Sequence, residues 1–577
     1  MTTAAPGQQA VIAWLPSDTT VDELAAAGFS PGIMSAGLGK VPAQQTYLDI
    51  GQGNRVFDSL YDKALPVRTG SFAGWWGAVV ERAESAPADI VPGLLASVLT
   101  EAGIPPELFE VEGSSVRGLR GGGPERLVIA IARPTGQSDA PLPIGIRGRG
   151  FDGNLTSDST RIDGYVLSTD VAPTILRHFG IEVPAAMSGQ PMRSEGAVDP
   201  AAIESLQARM DVISSRRGPV IGLAILAWVL IAAAVAALGG SGPARTAVRL
   251  LGVSVIYLPL LLLIGAALEP GEAVEAVLVG AGAPALAALI LALFPGYRAL
   301  AVASALTVFA YAADVIGGSS LTSLSLLGPN PGLGVRFYGI GNELEALLAV
   351  LVVAGVGAGL TAFWASASRR RAAAVFLTIG LLAAFVFAAG RFGADVGAAI
   401  VFPIGAAVAA VAIVGRGRWP AAVAVVGAPL AVLALLALID LLSGANAHLT
   451  RSVLDAGGMG NLADVAQRRL QLSARSFVRP VLLVFLPLVV GIGVIAYLQR
   501  QRLREWLREV PAMRAGLLGA LAATVIGTLV NDSGALLLEI GTAYLLVFTG
   551  FAWAESSGNS RKTTPADEKL QLRAPHV

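Results

Sequence analysis

The chain has 577 residues, 54% of them apolar and only 14% charged, with a mean hydropathy of +0.65; this excludes a purely soluble multidomain protein and points to a polytopic membrane protein. Its 41 basic and 41 acidic side chains cancel, so no global field argues for nucleic acid as a partner. Cysteine is absent, which excludes disulfides and thiolate metal sites.

Residues 1–217 have ordinary soluble composition, and residues 1–213 are expected to form one domain. The opening "MTTAAPGQQAVIAWLPSDTT" lacks the charged, apolar and small-residue regions of a signal peptide. Short apolar runs such as "AVIAWL" and "RLVIAIA" alternate with helical stretches such as "TVDELAAAG", "PGLLASVLTEAG" and "DVAPTILRHFG", which predicts an α/β layered sheet. "TYLDIGQGNRV", Thr46 to Val56, reads either as a strand with a glycine turn or as an anion cradle built from backbone amides and Arg55. "TSDSTRIDG", Thr156 to Gly164, reads as a solvated turn or as a polar loop in which Arg161 meets an anion. In "TDVAPTILRHFG", Thr169 or Asp170 is expected to cap a helix with Val171, Ile175 and Leu176 on its apolar face and Gly180 as its stop.

The basic "SSRRG" at Ser214 to Gly218 marks a boundary, and from Pro219 to Ala554 the sequence becomes a succession of apolar runs. Windows of about 20 apolar residues fall near 219–239, 247–267, 274–294, 298–317, 343–364, 373–389, 394–414, 419–442, 479–498, 514–530 and 534–554, about eleven spans. The basic loops "SGPARTAVR", "SASRRRA", "GRGRWP" and "QRQRLREWLRE" and the tail with "SRK" alternate with less basic connections such as "EPGEAVE". By the positive-inside rule the basic loops are cytoplasmic, residues 1–213 lie outside, and a disordered tail at 556–577 lies inside. A large domain outside without a signal peptide leads to the expectation of a signal or anchor segment upstream of Met1. The inverted topology would put five basic loops outside.

The string "STDVAPTILRHFGIEVPAAMSGQPM", Ser168 to Met192, resembles the closing signature of the alkaline phosphatase superfamily in its Asp170, Pro173, Thr174, Gly180, Pro184 and Gly189. The resemblance covers these residues closely and Ala10 to Met192 more loosely. It implies an alkaline-phosphatase-like α/β domain, and in active relatives two metals held by Asp and His ligands beside a Ser or Thr nucleophile. Here the only histidines are His178, His448 and His576, and Pro16, Ser17 and Asp18 follow the first strand where the family has Asp then Gly. The expectation is a degenerate domain with no metal or other cofactor and Asp18 as a relic ligand.

Ionisable residues within apolar spans mark functional candidates. "RFYGIGNELEALL" carries Arg336, Asn342, Glu343 and Glu345; "GRFGADVGAA" carries Arg391 and Asp395; "VNDSGALLLEIG" carries Asn531 and Asp532, with Glu539 deeper. All are expected on the outer side as a substrate site, the bland alternative being an ion pair of Arg391 with Asp395 or Glu343 that holds helices together. The connection with Arg451, Arg468, Arg469, Arg475 and Arg479 includes "LADVAQRRLQLSARSF", an amphipathic stretch suited to phosphate groups or to simple interfacial anchoring. The leading expectation is a bacterial envelope protein that binds or moves a phosphate-bearing lipid-linked precursor. The alternatives are a metal-dependent phosphotransferase, in a layout that looks like the GPI ethanolamine-phosphate transferases, and a scaffold for envelope proteins.

Overall fold

A computed structural model describes residues 8–556 apart from 68–70, 87, 106–108, 114–118, 120–124, 416–417, 444–472, 475 and 478–479. The chain divides into two units, one comprising Met1–Ser214 with Pro329–Tyr338 and the other Ser215–Gly328 with Gly339–Val577.

The first unit is α/β. Its strands are β1 (Gln9–Leu15), β2 (Ser30–Ser35), β3 (Val41–Pro42), β4 (Phe109–Gly113), β5 (Arg126–Ala132), β6 (Gln137–Ser138), β7 (Leu142–Arg147), β8 (Asn154–Thr156), β9 (Tyr165–Leu167) and β10 (Arg193–Glu195). Six form one sheet in the order β4-β1-β5-β7-β2-β9, in which β7 is antiparallel to both neighbours and every other pairing is parallel. The runs "AVIAWL" and "RLVIAIA" are the adjacent parallel strands β1 and β5. Their nearly continuous apolar character suits a sheet buried on both faces, and Ala10, Ile12, Ile129 and Ile131 are in one core cluster while Ala13, Leu15, Val128 and Ala130 are in a second. Helices α1 (Val21–Ala26), α2 (Ala43–Gln52), α3 (Phe72–Glu84), α4 (Leu94–Glu101) and α5 (Val171–His178) belong to this unit. At the start of α1 the Thr20 hydroxyl accepts from Glu23 N while the Glu23 carboxylate accepts from Thr20 N, a reciprocal cap that satisfies two otherwise unpaired amides.

Two local readings change. Thr46 to Gln52 is helical, the body of α2, and not a strand before a turn; Thr46, Asp49 and Ile50 are buried at helical spacing, and Gly53 ends the helix at φ 61. Asp170 stands at the first position before α5 but does not cap it. Its buried carboxylate instead accepts from the hydroxyls of Ser157 (2.7 Å) and Ser159 (2.6 Å) and from the amides of Leu167 (2.9 Å) and Gln190 (2.9 Å). Thr174 continues the stitching, donating to Asp170 O at 2.6 Å and accepting from Met192 N at 2.8 Å. A methyl group at Gly189 would run into Thr169 O. The segment Ser168 to Met192 therefore fastens the loop 181–192 onto the start of α5.

The second unit is helical. It holds the part of α6 (Pro200–Gly239) from Ser215 onward, α7 (Ser241–Leu268), α8 (Glu272–Gly280), α9 (Gly282–Leu293), α10 (Tyr297–Ile316), α11 (Ser320–Leu324), α12 (Asn342–Phe363), α13 (Arg369–Ala388), α14 (Ala398–Val414), α15 (Arg418–Ser443), α16 (Pro480–Leu498), α17 (Arg500–Trp506), α18 (Pro511–Val530) and α19 (Gly534–Ser556). Among the described residues eight helical segments are long and apolar enough to cross a membrane, and three shorter apolar helices lie at Ala398–Val414, Val425–Ile439 and Phe485–Leu498. This is a multi-pass membrane protein. Small residues bring helix axes together: a Cβ at Gly357 on α12 would lie 3.1 Å from Gly516 Cα on α18. Pro259 interrupts α7 and leaves the Val255 carbonyl without its usual donor; the Tyr544 hydroxyl of α19 donates to it at 3.2 Å. The next carbonyl, Ile256 O, accepts from Thr307 of α10 at 3.0 Å, and Pro259 O accepts from Tyr311 at 3.0 Å.

Candidate functional site

The polar residues of the helical unit meet where three helix ends converge. α12 begins at Asn342 with Glu343 and Glu345 in its first turn, where the positive end of the helix dipole favours carboxylates. Glu345 is fully buried, and its Oε2 accepts from Asn531 Nδ2 at 2.8 Å, just beyond the last residue of α18. The turn before α14 supplies the third wall. Asp395 is buried, and its Oδ1 accepts from the amides of Gly397 (2.9 Å) and Ala398 (3.3 Å), so it caps that helix start. A Cβ at Gly397 would lie 2.5 Å from Glu345 Oε2 and 2.7 Å from Asn531 Nδ2; only glycine allows the carboxylate and amide to press against this turn. Ala394 adopts φ 51, a left-handed backbone that costs a non-glycine residue about 1–2 kcal/mol.

Around this core lies a more exposed rim. Asn342 Nδ2 donates to Asp532 Oδ1 at 2.9 Å. Glu343 forms an ion pair with Arg217 Nη1 at 3.5 Å, and Arg217 also donates to Leu326 O and Gly328 O, each at 2.6 Å. Its neighbour Arg216 pairs with fully buried Glu275 at 3.1 Å. Six of the eight candidates of the helical spans thus gather at one end of this unit: Glu345, Asn531 and Asp395 inside, and Asn342, Asp532 and Glu343 on the rim. Arg391 is exposed in the turn between α13 and α14, and Arg336 belongs to the segment 329–338 of the first unit. Sequence reading missed Arg217, which "SSRRG" suggested only as a boundary, and Gly397, whose role is visible only once Glu345 stands against it. The arginines Arg451, Arg468, Arg469, Arg475 and Arg479 and the amphipathic stretch around them lie outside the described residues, apart from a few positions near Ser473 and Ser476.

The first unit has its own buried polar network. The Arg55 guanidinium donates to Ser35 Oγ (3.1 Å), Gly37 O (3.2 Å) and Gly334 O (2.9 Å) and lies 5.7 Å from the Phe337 ring centroid. Tyr165 donates to Pro331 O at 2.9 Å, and Arg161 stacks on Tyr338 at 4.0 Å. Both predicted anion-binding arginines therefore contact residues 329–338. Beside Arg55, Asp49 accepts from Gln45 (2.7 Å) and Gln52 (3.0 Å), Gln45 accepts from Arg82, and Arg82 pairs with Asp58 at 2.6 Å. Burial pushes the Asp49 carboxyl up to about 7 and holds the Arg55 guanidinium below its ordinary value. Asp18 is exposed in the turn after β1, and among the described residues no three His, Cys, Asp or Glu converge in a way that holds a metal ion. His178 ends α5 with its ring 5.2 Å from that of Phe179.

Chemically, the helical cluster offers two buried carboxylates and an amide at the end of a bundle of apolar helices, an arrangement suited to binding and releasing a proton or small cation. Compared with protein families, curated proteins and solved structures, the chain matches none of them.

Proposed function

We propose that this is a bacterial envelope membrane protein that moves a phosphate-bearing lipid-linked precursor, with Glu345 and Asp395 as its proton- or cation-binding carboxylates. The observation that carries the reading is the convergence of Glu345, Asn531 and Asp395 from three chain segments at one end of the helical unit. Buried ionisable groups in membrane bundles are costly and recur where ions are moved. Residues at helix ends and glycine-rich turns are suitable places for such a site, because backbone polar groups are there for use. The loop charges support a cytoplasmic face carrying Arg369 to Arg371 and an outer face carrying the carboxylates. The α/β unit is read as an alkaline-phosphatase-like fold whose closing signature has an architectural role.

The test uses the full chain in proteoliposomes with a fluorescent polyprenyl phosphate and a membrane-impermeant quencher, under an imposed pH or sodium gradient. Gradient-dependent lipid movement is expected in the wild type and lost in Glu345→Gln, while Glu272→Gln, on the exposed first turn of α8, retains it. Movement that ignores both gradients and survives Glu345→Gln would sink the coupling role.

A further inference from the structure

A second feature of the helical unit has its mouth toward the end opposite the carboxylate cluster. A groove of about 650 Å³ runs between α10, α12 and α13, within the range of small-ligand sites. Gly359 of α12 and Ala301 and Ala305 of α10 leave room in its floor that larger side chains would fill, while Gly355 lets α12 approach Ser304 of α10, where a Cβ would lie 2.8 Å from Ser304 Cβ. Its rims are exposed, with Phe309 and Leu382 at 72% and 56%. On α13 the groove extends from Val375 to Phe387 and on α10 from Ala301 to Ala312, a length of roughly 17 Å at 1.5 Å per residue. That is close to the depth of one leaflet, half of the approximately 30 Å hydrocarbon core.

One end of this groove is basic. Trp364, Val375 and Ile379 also line an adjoining recess of about 290 Å³ that includes Arg371. Arg298 reaches over Phe363, another groove residue, with its guanidinium 5.7 Å from the ring centroid. Arg369, Arg370 and Arg371 are the first three residues of α13, with no acidic residue in that turn. Three cations at the positive end of a helix dipole repel it, a cost that a bound anion would offset; Ser368 Oγ already accepts from Arg371 N at 3.4 Å, so the anion is met by the guanidinium groups. Glu555, which approaches Gly296 near this end, is occupied by Arg249 at 2.8 Å. Trp364 is half exposed at the mouth, where an indole suits the headgroup level.

We infer that this groove binds one anionic phospholipid from the leaflet on the basic side, its phosphate between Arg298 and Arg371 and one acyl chain lying along Gly355 and Gly359. The one-leaflet length of the apolar run selects a membrane lipid, and the charge at the mouth selects an anionic lipid over a zwitterionic one. Only the far end of the groove, at Val386 and Phe387, adjoins the turn that carries Asp395; the basic mouth lies away from it, and lipid binding there holds whether or not the carboxylate cluster moves ions.

The test reads Trp364 fluorescence of the full chain in nanodiscs, isolated as the difference between the wild type and Trp364→Phe. Brominated phosphatidylglycerol and brominated phosphatidylcholine are compared as dilute quenchers in a phosphatidylcholine bilayer. Stronger quenching by phosphatidylglycerol is expected, with a preference on the order of fivefold for each arginine near the surface. Arg298→Gln with Arg371→Gln should abolish the preference, and the corresponding pair of lysine substitutions should keep it. Ala305→Phe, at an exposed groove wall, should lower quenching by phosphatidylglycerol without altering the helical content. Equal quenching by the two lipids in the wild type overturns the proposal, as does a preference that survives removal of both arginine charges. Should the glutamine pair fail to assemble, loss of preference in the lysine pair or an unchanged signal in Ala305→Phe overturns it equally.

Discussion

Asp49 is a carboxyl group completely removed from water, with Gln45 and Gln52 as its hydrogen-bond donors. Its desolvation outweighs the nearby charges of Arg55 and Arg82 and raises it from 3.8 to about 7. The sign of the linkage follows directly. Between those two values the folded protein holds a proton that the unfolded chain has released, so this contribution to stability is fully present below pH 3.8 and is lost as pH rises to about 7. The full effect is about 4 kcal/mol at most. In Asp49→Asn, chemical unfolding of the first unit, followed by tryptophan fluorescence in the full chain, is expected to lose this downward slope. An identical slope in both proteins would mean that Asp49 ionises freely in the folded state. A similar contrast between appearance and role holds for Asp170. The sequence marks it as a helix cap, yet its four hydrogen bonds go to Ser157, Ser159, Leu167 and Gln190.

At the scale of elements, the kink in α7 shows how one residue is compensated by several helices. Pro259 deprives Val255 O of its donor, and Tyr544 of α19 supplies one. Tyr544→Phe should therefore cost about 1 kcal/mol in the wild type and distinctly less in Pro259→Ala, where the restored amide can bond Val255 O. A double-mutant cycle of unfolding in mixed micelles measures this coupling; zero coupling would show that the hydroxyl and the kink are independent. Among the described residues, eight of the eleven apolar windows fall on helices long enough to span, because twenty consecutive apolar residues have few other stable fates, whereas 394–414, 419–442 and 479–498 fall on shorter apolar helices. The parallel pairing of "AVIAWL" with "RLVIAIA" was legible as two strands but not as neighbours, since pairing is a long-range choice. "TYLDIGQ" was misread because its helical signal rests on buried polar residues, Thr46, Asp49 and Gln52, which periodicity of apolar residues does not detect. Six of the candidate polar residues did come together, since carboxylates in apolar spans are rare and conspicuous. Arg217 escaped notice because a basic residue at a boundary has a sufficient topogenic explanation.

For the molecule as a whole, sidedness is the first thing to measure. The natural absence of cysteine makes single-cysteine labelling clean. Ser366→Cys, in the exposed basic connection before α13, and Glu272→Cys, in the exposed first turn of α8, sample the two ends of the helical unit. An impermeant maleimide added to intact cells should label the second and not the first, and the opposite result would invert the proposed topology. The segment Pro329–Tyr338 has a further consequence for how this protein is made. Arg55 and Tyr165 find partners in Gly334 and Pro331, residues that the ribosome adds only after α6 through α11 have been synthesised. The first unit is thus first to be translated but among the later parts to be finished. A gene fragment ending at Ser214 would encode the first unit without these partners of Arg55 and Tyr165.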